Sequence, residues 1–230
     1  MFTKYYKHLD FIAVIFVSVL LISNVASSKI LSLWVFDFDG GTILFPLSYI
    51  FGDILTEVYG YSRTRKIIWM GLFMNILMAL VFMAVSALPP SPMWENQSAF
   101  EAILGVTPRI VLASITAYFA GEFLNSYVLA KMKIIMSGKM LWVRTISSTI
   151  LGELVDTVIF VSIAFYGILD EKLLLVVIVS NYVFKVLVEI VFTPITYLIV
   201  GYLKKSESVD VYDKKTNFNP FKLEEGGKRL

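Results

Sequence analysis

Four pairs of polar side chains, each three or four residues apart, interrupt long apolar stretches of this chain: Asp53 with Glu57, Glu122 with Asn125, Glu153 with Asp156, and Lys185 with Glu189. At that spacing both members of a pair share one face of a helix. Ionisable groups at membrane depth are costly and rare, and where they recur they line a polar cavity or an ion path. Carboxylates and amides suit the recognition of a small solute rich in hydrogen-bond donors, while an ammonium donates to a carbonyl or balances an acid. Other chemistries are closed off. Cysteine is absent and the lone histidine, His8, precedes the first apolar stretch. No thiolate, no cysteine or histidine metal cluster and no serine–histidine triad can therefore form within the membrane. No cofactor and no metal is expected, and the chain does not read as an enzyme.

Such residues need elements long enough to cross a bilayer, and the composition supplies them. Of 230 residues, 57% are hydrophobic and only 17% charged, with a mean hydropathy of +0.76, far outside the range of soluble domains. At about 20 residues per crossing, six spans are expected, near 10–33, 42–59, 66–88, 108–130, 140–168 and 173–203. The fold class is an all-α membrane protein. The first span resembles a signal peptide but is too long, and five more follow, so it is read as uncleaved. Pro194 should kink the sixth. One transmembrane domain is expected over 1–203. Over 204–230 the composition turns charged and a disordered cytoplasmic tail is expected.

Basic residues fix the orientation. Lys4, Lys7, Arg63, Arg65, Lys66, Lys131, Lys133, Lys139, Lys204 and Lys205 lie in alternate connectors, which places both termini in the cytoplasm. Gly52-Asp53-Ile54-Leu55 in span two echoes Gly152-Glu153-Leu154-Val155 in span five, the pattern a 3+3 inverted repeat would leave. Nothing basic and aromatic-interleaved suggests nucleic acid.

The candidate binding residues are Asn24, Tyr49, Asp53, Glu57, Asn75, Glu122, Asn125, Arg144, Glu153, Asp156, Lys185 and Glu189. Counted inward at 1.5 Å per residue, most fall near the middle of their spans, while Glu57 and Arg144 lie closer to an end. The bland alternative for the amides is that they tie helix to helix. The acids resist it: Asp53, Glu57, Glu122, Glu153, Asp156 and Glu189 outnumber the intramembrane cations Lys185 and Arg144. Water must enter, or some acids must hold protons. Tyr49, Phe51, Tyr118, Phe119, Tyr127 and Phe160 stand close enough in sequence to stack on a planar ring. The residues alone point to a small, polar, planar solute.

The run from Phe45 to Gly60, with Tyr49, Asp53, Glu57 and Tyr59 in it, closely resembles the queuosine precursor transporter family, also called the vitamin uptake transporter family. Asn24 with Lys29, Asn75, the stretch Leu141 to Ser148, Asp156, Thr157 and Phe160 extend the likeness over about residues 10–203. The resemblance implies import of 7-cyano-7-deazaguanine, and of 7-aminomethyl-7-deazaguanine, across the bacterial inner membrane. A guanine-like edge offers two parallel donors that a carboxylate accepts together. One of Asp53, Glu122, Glu153 or Asp156 would read that edge, with Lys185, Asn75 or Asn125 at O6. The partners expected are this small-molecule base and the lipid bilayer.

Two other readings fit part of the pattern. A substrate-capture subunit of an energy-coupling-factor importer has a similar span count, but it needs a small-residue docking face that Ser23 and Ser27 provide poorly. An intramembrane aspartyl protease would use Asp53 and Asp156, yet Ile50 stands where its Gly-x-Gly-Asp stretch needs the first glycine.

Overall fold

The structure is a computed structural model that describes residues 6–33, 36–105, 108–167 and 170–222. In chain order its elements are α1 (Leu9–Ala26), β1 (Ile30–Leu33), β2 (Phe36–Asp39), a 3-10 turn (Gly40–Ile43), α2 (Phe45–Tyr59), α3 (Tyr61–Ala87), α4 (Gln97–Leu104), α5 (Pro108–Ile135), α6 (Leu141–Phe165) and α7 (Glu171–Glu207). Among the described residues, six helical segments are long and apolar enough to cross a membrane, as the hydropathy pattern predicts. β1 and β2 form a small antiparallel pair that the pattern does not predict.

Two boundaries differ from expectation. The first span ends at Ala26 rather than near 33, which leaves Lys29 outside the helix. The reason is local: Ser23, Ser27 and Ser28 turn their hydroxyls onto the carbonyls of Leu20, Ser23 and Val25, competing with the backbone ladder where the helix stops. The last helix continues to Glu207, running unbroken through Pro194.

The tail expected to be disordered is packed as far as Lys222; residues 223–230 lie outside the described part. Ser208 adopts a left-handed conformation (φ 49°), and the chain then folds back under α3. Asp213 accepts from the Tyr61 amide at 2.9 Å, satisfying one of the orphan donors that open α3. Arg65 donates to the carbonyls of Asn217 and Asn219, both at 2.7 Å, and Trp69 Nε1 to that of Pro220 at 2.8 Å. Polar composition signals disorder only when a segment finds no donors to satisfy it. Here the ends of the helices supply them.

α2 is the axis of the bundle. All but Phe45, Leu47 and Phe51 of its fifteen residues are buried, and it touches α1, α3, α5 and α7. Pro46 in the first turn suits a helix start, where its missing N–H has no partner to lose. Among the described residues α5 and α6 pack most extensively, meeting where neither carries a side chain: a Cβ on Gly121 would lie 3.0 Å from the Gly152 carbonyl oxygen, and the reverse distance is also 3.0 Å. The first helix is tied to the last. Glu207 accepts from the amides of Lys7 (3.0 Å) and His8 (2.7 Å) and from the Tyr59 hydroxyl (3.1 Å), placing a carboxylate at the N-terminus of α1, where the helix dipole favours it.

Candidate functional site

Steps of four residues, about 6 Å each, descend α2 from Phe45 through Tyr49 and Asp53 to Glu57, and they pass through three tiers. Each of α5, α6 and α7 contributes to the same tiers. Far from the chain termini is a cavity; beneath it lies a layer of carboxyl groups; at the termini side is a cluster of ion pairs.

The cavity has a volume of about 400 Å³ and is bordered by the ends of α1, α2, α3, α5, α6 and α7 remote from the termini, with α4 at its rim. That is within the range of small-molecule sites, about 300–1,000 Å³. Its floor is ionic. Lys185 Nζ on α7 donates to Asp156 Oδ2 on α6 at 2.6 Å and lies 2.8 Å from Glu153 Oε2, while standing 4.6 Å over the Phe45 ring. One wall is amide: Asn24 donates to Asn75 Oδ1 at 2.8 Å, and Ser114 donates to Asn24 Oδ1 at 3.2 Å, joining α1, α3 and α5. Asn181, Thr157, Phe82 and Phe160 also line the cavity.

Directly beneath, four helices each supply one carboxyl: Asp53, Glu122, Glu153 and Glu189, all at most 1% exposed. Asn125 donates to Asp53 Oδ1 at 2.7 Å. Both oxygens of Glu122, both of Glu189 and Oδ2 of Asp53 have no hydrogen-bond partner among the described residues, and neither has the Tyr49 hydroxyl. The Glu122 carboxyl occupies the space that a Cβ on Gly52 would need. A glycine is therefore what lets this acid press against α2.

The third tier centres on Glu57. Arg144 reaches it with two nitrogens, at 2.5 and 3.3 Å, Lys204 at 2.6 Å and Lys133 at 3.4 Å. Asp210 from the returning tail binds Lys133 at 2.6 Å and Lys204 at 2.9 Å. Burial pushes the Asp210 carboxyl up, but the hydrogen bonds from Lys133 and Lys204 outweigh it and hold it below the usual carboxylate range.

The twelve residues singled out by sequence thus separate. The structure brings Asn24, Asn75, Asp156 and Lys185 to the cavity; it sets Tyr49, Asp53, Glu122, Asn125, Glu153 and Glu189 below the floor; and it places Glu57 and Arg144 in the ion-pair cluster. Among the six aromatic residues considered for stacking, Phe160 borders the cavity, whereas Phe119 packs with Trp69 and Phe123. Sequence reasoning passed over Asn181, Ser114 and the third-tier members Lys133, Lys204 and Asp210. Asn181 was within reach, standing four residues before Lys185 on one helix face. Lys133 and Lys204 counted only as markers of orientation.

The sequence profile of a family described as "Putative vitamin uptake transporter" matches residues 39–199. The chain is 31% identical over 158 residues to a "Probable queuosine precursor transporter" of Bacillus subtilis (strain 168), covering 68% of this chain and 69% of that one. It is 27% identical over 193 residues to a "Queuosine precursor transporter" of Escherichia coli (strain K12), covering 83% and 85%. No solved structure matches it.

Proposed function

Because this chain belongs to the vitamin uptake transporter family and is a multi-pass membrane transporter, we propose that it imports a queuosine precursor across the bacterial inner membrane, binding it in the cavity above Asp156 and Lys185. The proposed substrates are 7-cyano-7-deazaguanine and 7-aminomethyl-7-deazaguanine. The names of the relatives support the solute class, and the cavity supplies matching chemistry. Asp156 presents an acceptor for the paired N1–H and amine donors of a guanine-like edge, Lys185 a donor for O6, and Phe45 and Phe160 flat apolar surface for the ring. The observation that carries this reading is the Lys185–Asp156 pair at the cavity floor. An ion pair already shared with Glu153 can rearrange around a ligand without leaving any one charge unpaired.

Orientation follows from the basic residues. Lys7, Arg63, Lys131, Lys139 and Lys205 all lie on the side of the third tier, which therefore faces the cytoplasm. The cavity then opens outward and the ion-pair cluster forms the closed inner mouth. The test is uptake of labelled 7-cyano-7-deazaguanine by cells that lack both its synthesis and their own carrier, normalised to the amount of protein in the membrane. Wild type should accumulate the label, and Asp156→Asn and Lys185→Met should not. Equal uptake in all three would remove the cavity floor from the binding site. Co-purification with an ATPase module would instead favour the capture-subunit reading.

A further inference from the structure

The carboxyl layer beneath the cavity does not line the space where the substrate is placed, so direct contact with the solute does not account for it. Its composition poses a specific chemical problem. Asp53, Glu122, Glu153 and Glu189 come from four different helices, α2, α5, α6 and α7, and all are fully or almost fully buried. The nearest cation among the described residues is Lys185, already shared between Glu153 and Asp156. Five carboxyl oxygens, on Asp53, Glu122 and Glu189, meet no donor among the described residues. An ionised carboxylate only accepts hydrogen bonds; adding a proton cancels its charge and creates an O–H donor. What the layer lacks is therefore donors and positive charge, and protons supply both. A metal ion would supply charge as well, but no group of three or more acidic or histidine side chains that could hold one occurs among the described residues.

Glu122 holds the central place. On α2 it faces Tyr49 and Asp53 and presses on Gly52; on α6 it faces Glu153 and Asp156; its own helix contributes Tyr118; from α7, Lys185 reaches Glu153 and Asp156 and Glu189 faces Asp53 and Glu153. The ionisable groups of α3, namely Tyr61, Arg63, Arg65 and Lys66, sit at the other end of that helix, by the tail. Glu122 is bounded above by the cavity floor and below by the Glu57 cluster, so it can exchange a proton with one side only after one of those two boundaries parts.

We propose that the carboxyl layer makes this protein a proton-coupled importer, with Glu122 as the group that carries the proton. On the outer side an O–H bond of hydronium in the cavity breaks as one forms at Glu122, leaving water; on the inner side the Glu122 O–H bond breaks and a cytoplasmic water takes the proton once the Glu57 cluster separates, with no change of oxidation state. The coupling rests on the substrate reading above, and it adds that each solute molecule enters with a proton.

The full-length protein in proteoliposomes, with a pH indicator trapped in the lumen and labelled 7-cyano-7-deazaguanine outside, tests this. With one proton per solute, each unit of inwardly directed pH gradient should raise accumulation about tenfold, and the lumen should acidify in step with uptake. Glu122→Gln should exchange labelled for unlabelled solute across the membrane but no longer accumulate it in response to the gradient, and Glu122→Asp should restore that response. Solute exchange by wild type without lumenal acidification, or stimulation by a sodium gradient instead, overturns the coupling while leaving the substrate reading intact. A gradient response that survives in Glu122→Gln, or that Glu122→Asp fails to restore, overturns the role of Glu122. Absence of solute exchange in wild type takes down the substrate reading and the coupling with it.

Discussion

In the proposed function Asp156 and Lys185 each have a structural role beside a binding one. Lys185 is held at 2.6 Å by Asp156 and at 2.8 Å by Glu153, and removing one partner of a buried pair leaves the rest uncompensated. Replacing Glu153 by Gln should therefore weaken the hold on Lys185 and lower solute affinity by roughly tenfold, the magnitude of one charge-assisted hydrogen bond, in a binding assay on purified protein. Glycines give a second residue-scale prediction. In Gly152→Ala the new methyl would sit 2.8 Å from Asn125 Cβ and 3.0 Å from the Gly121 carbonyl oxygen, whereas Gly201 on α7 has nothing within 4 Å of such a methyl. The first change should lower the melting temperature in detergent, costing about 1–3 kcal/mol. Gly201→Ala should leave it unchanged or raise it, since alanine is the better helix former.

At the scale of elements, the number and kind of spans were legible because a bilayer imposes its thickness on any helix that crosses it. What was not legible was depth. Asp53 and Glu57 share a helix face, as their spacing says, yet one turn of translation puts the first in the carboxyl layer and the second among Arg144, Lys133 and Lys204. A same-face argument fixes azimuth and leaves height open by about 6 Å. The packing of residues 209–222 is not legible for a different reason: their partners are helix termini over a hundred residues away in sequence. Removal of residues 209–230 would take Asp210 from Lys133 and Lys204 and the tail carbonyls from Arg65 and Trp69. The truncated protein should melt at lower temperature and show faster amide hydrogen exchange at the start of α3. Acid should mimic part of this. A carboxyl held below its unfolded value of about 3.9 contributes stability that is complete above that value and is lost as pH falls through the lowered one. Asp210 should therefore keep the tail docked at neutral pH and release it only below about pH 4, as read by the exchange rate of the Val211–Lys214 amides.

Across the whole molecule, the three tiers stack along the bundle axis, and α7 is the longest of the four helices that pass through all of them. Its 37 residues span about 55 Å at 1.5 Å each, more than the roughly 30 Å of hydrocarbon. Lys185 at the cavity and Lys204 on Glu57 lie on this one rod, 19 residues or about 28 Å apart. Between them stands Pro194, which has no N–H to give to the Ile190 carbonyl and so removes one rung of the helix. Pro194→Ala should restore that rung and slow solute uptake while leaving binding affinity unchanged, measured side by side on the same preparation. A stiff beam hinged near its midpoint swings its two arms in opposite senses, so drawing the Lys185 arm inward on a bound solute would swing the Lys204 arm away from Glu57. Entrance and exit would then be worked by a single crank, and neither could stand open while the other does.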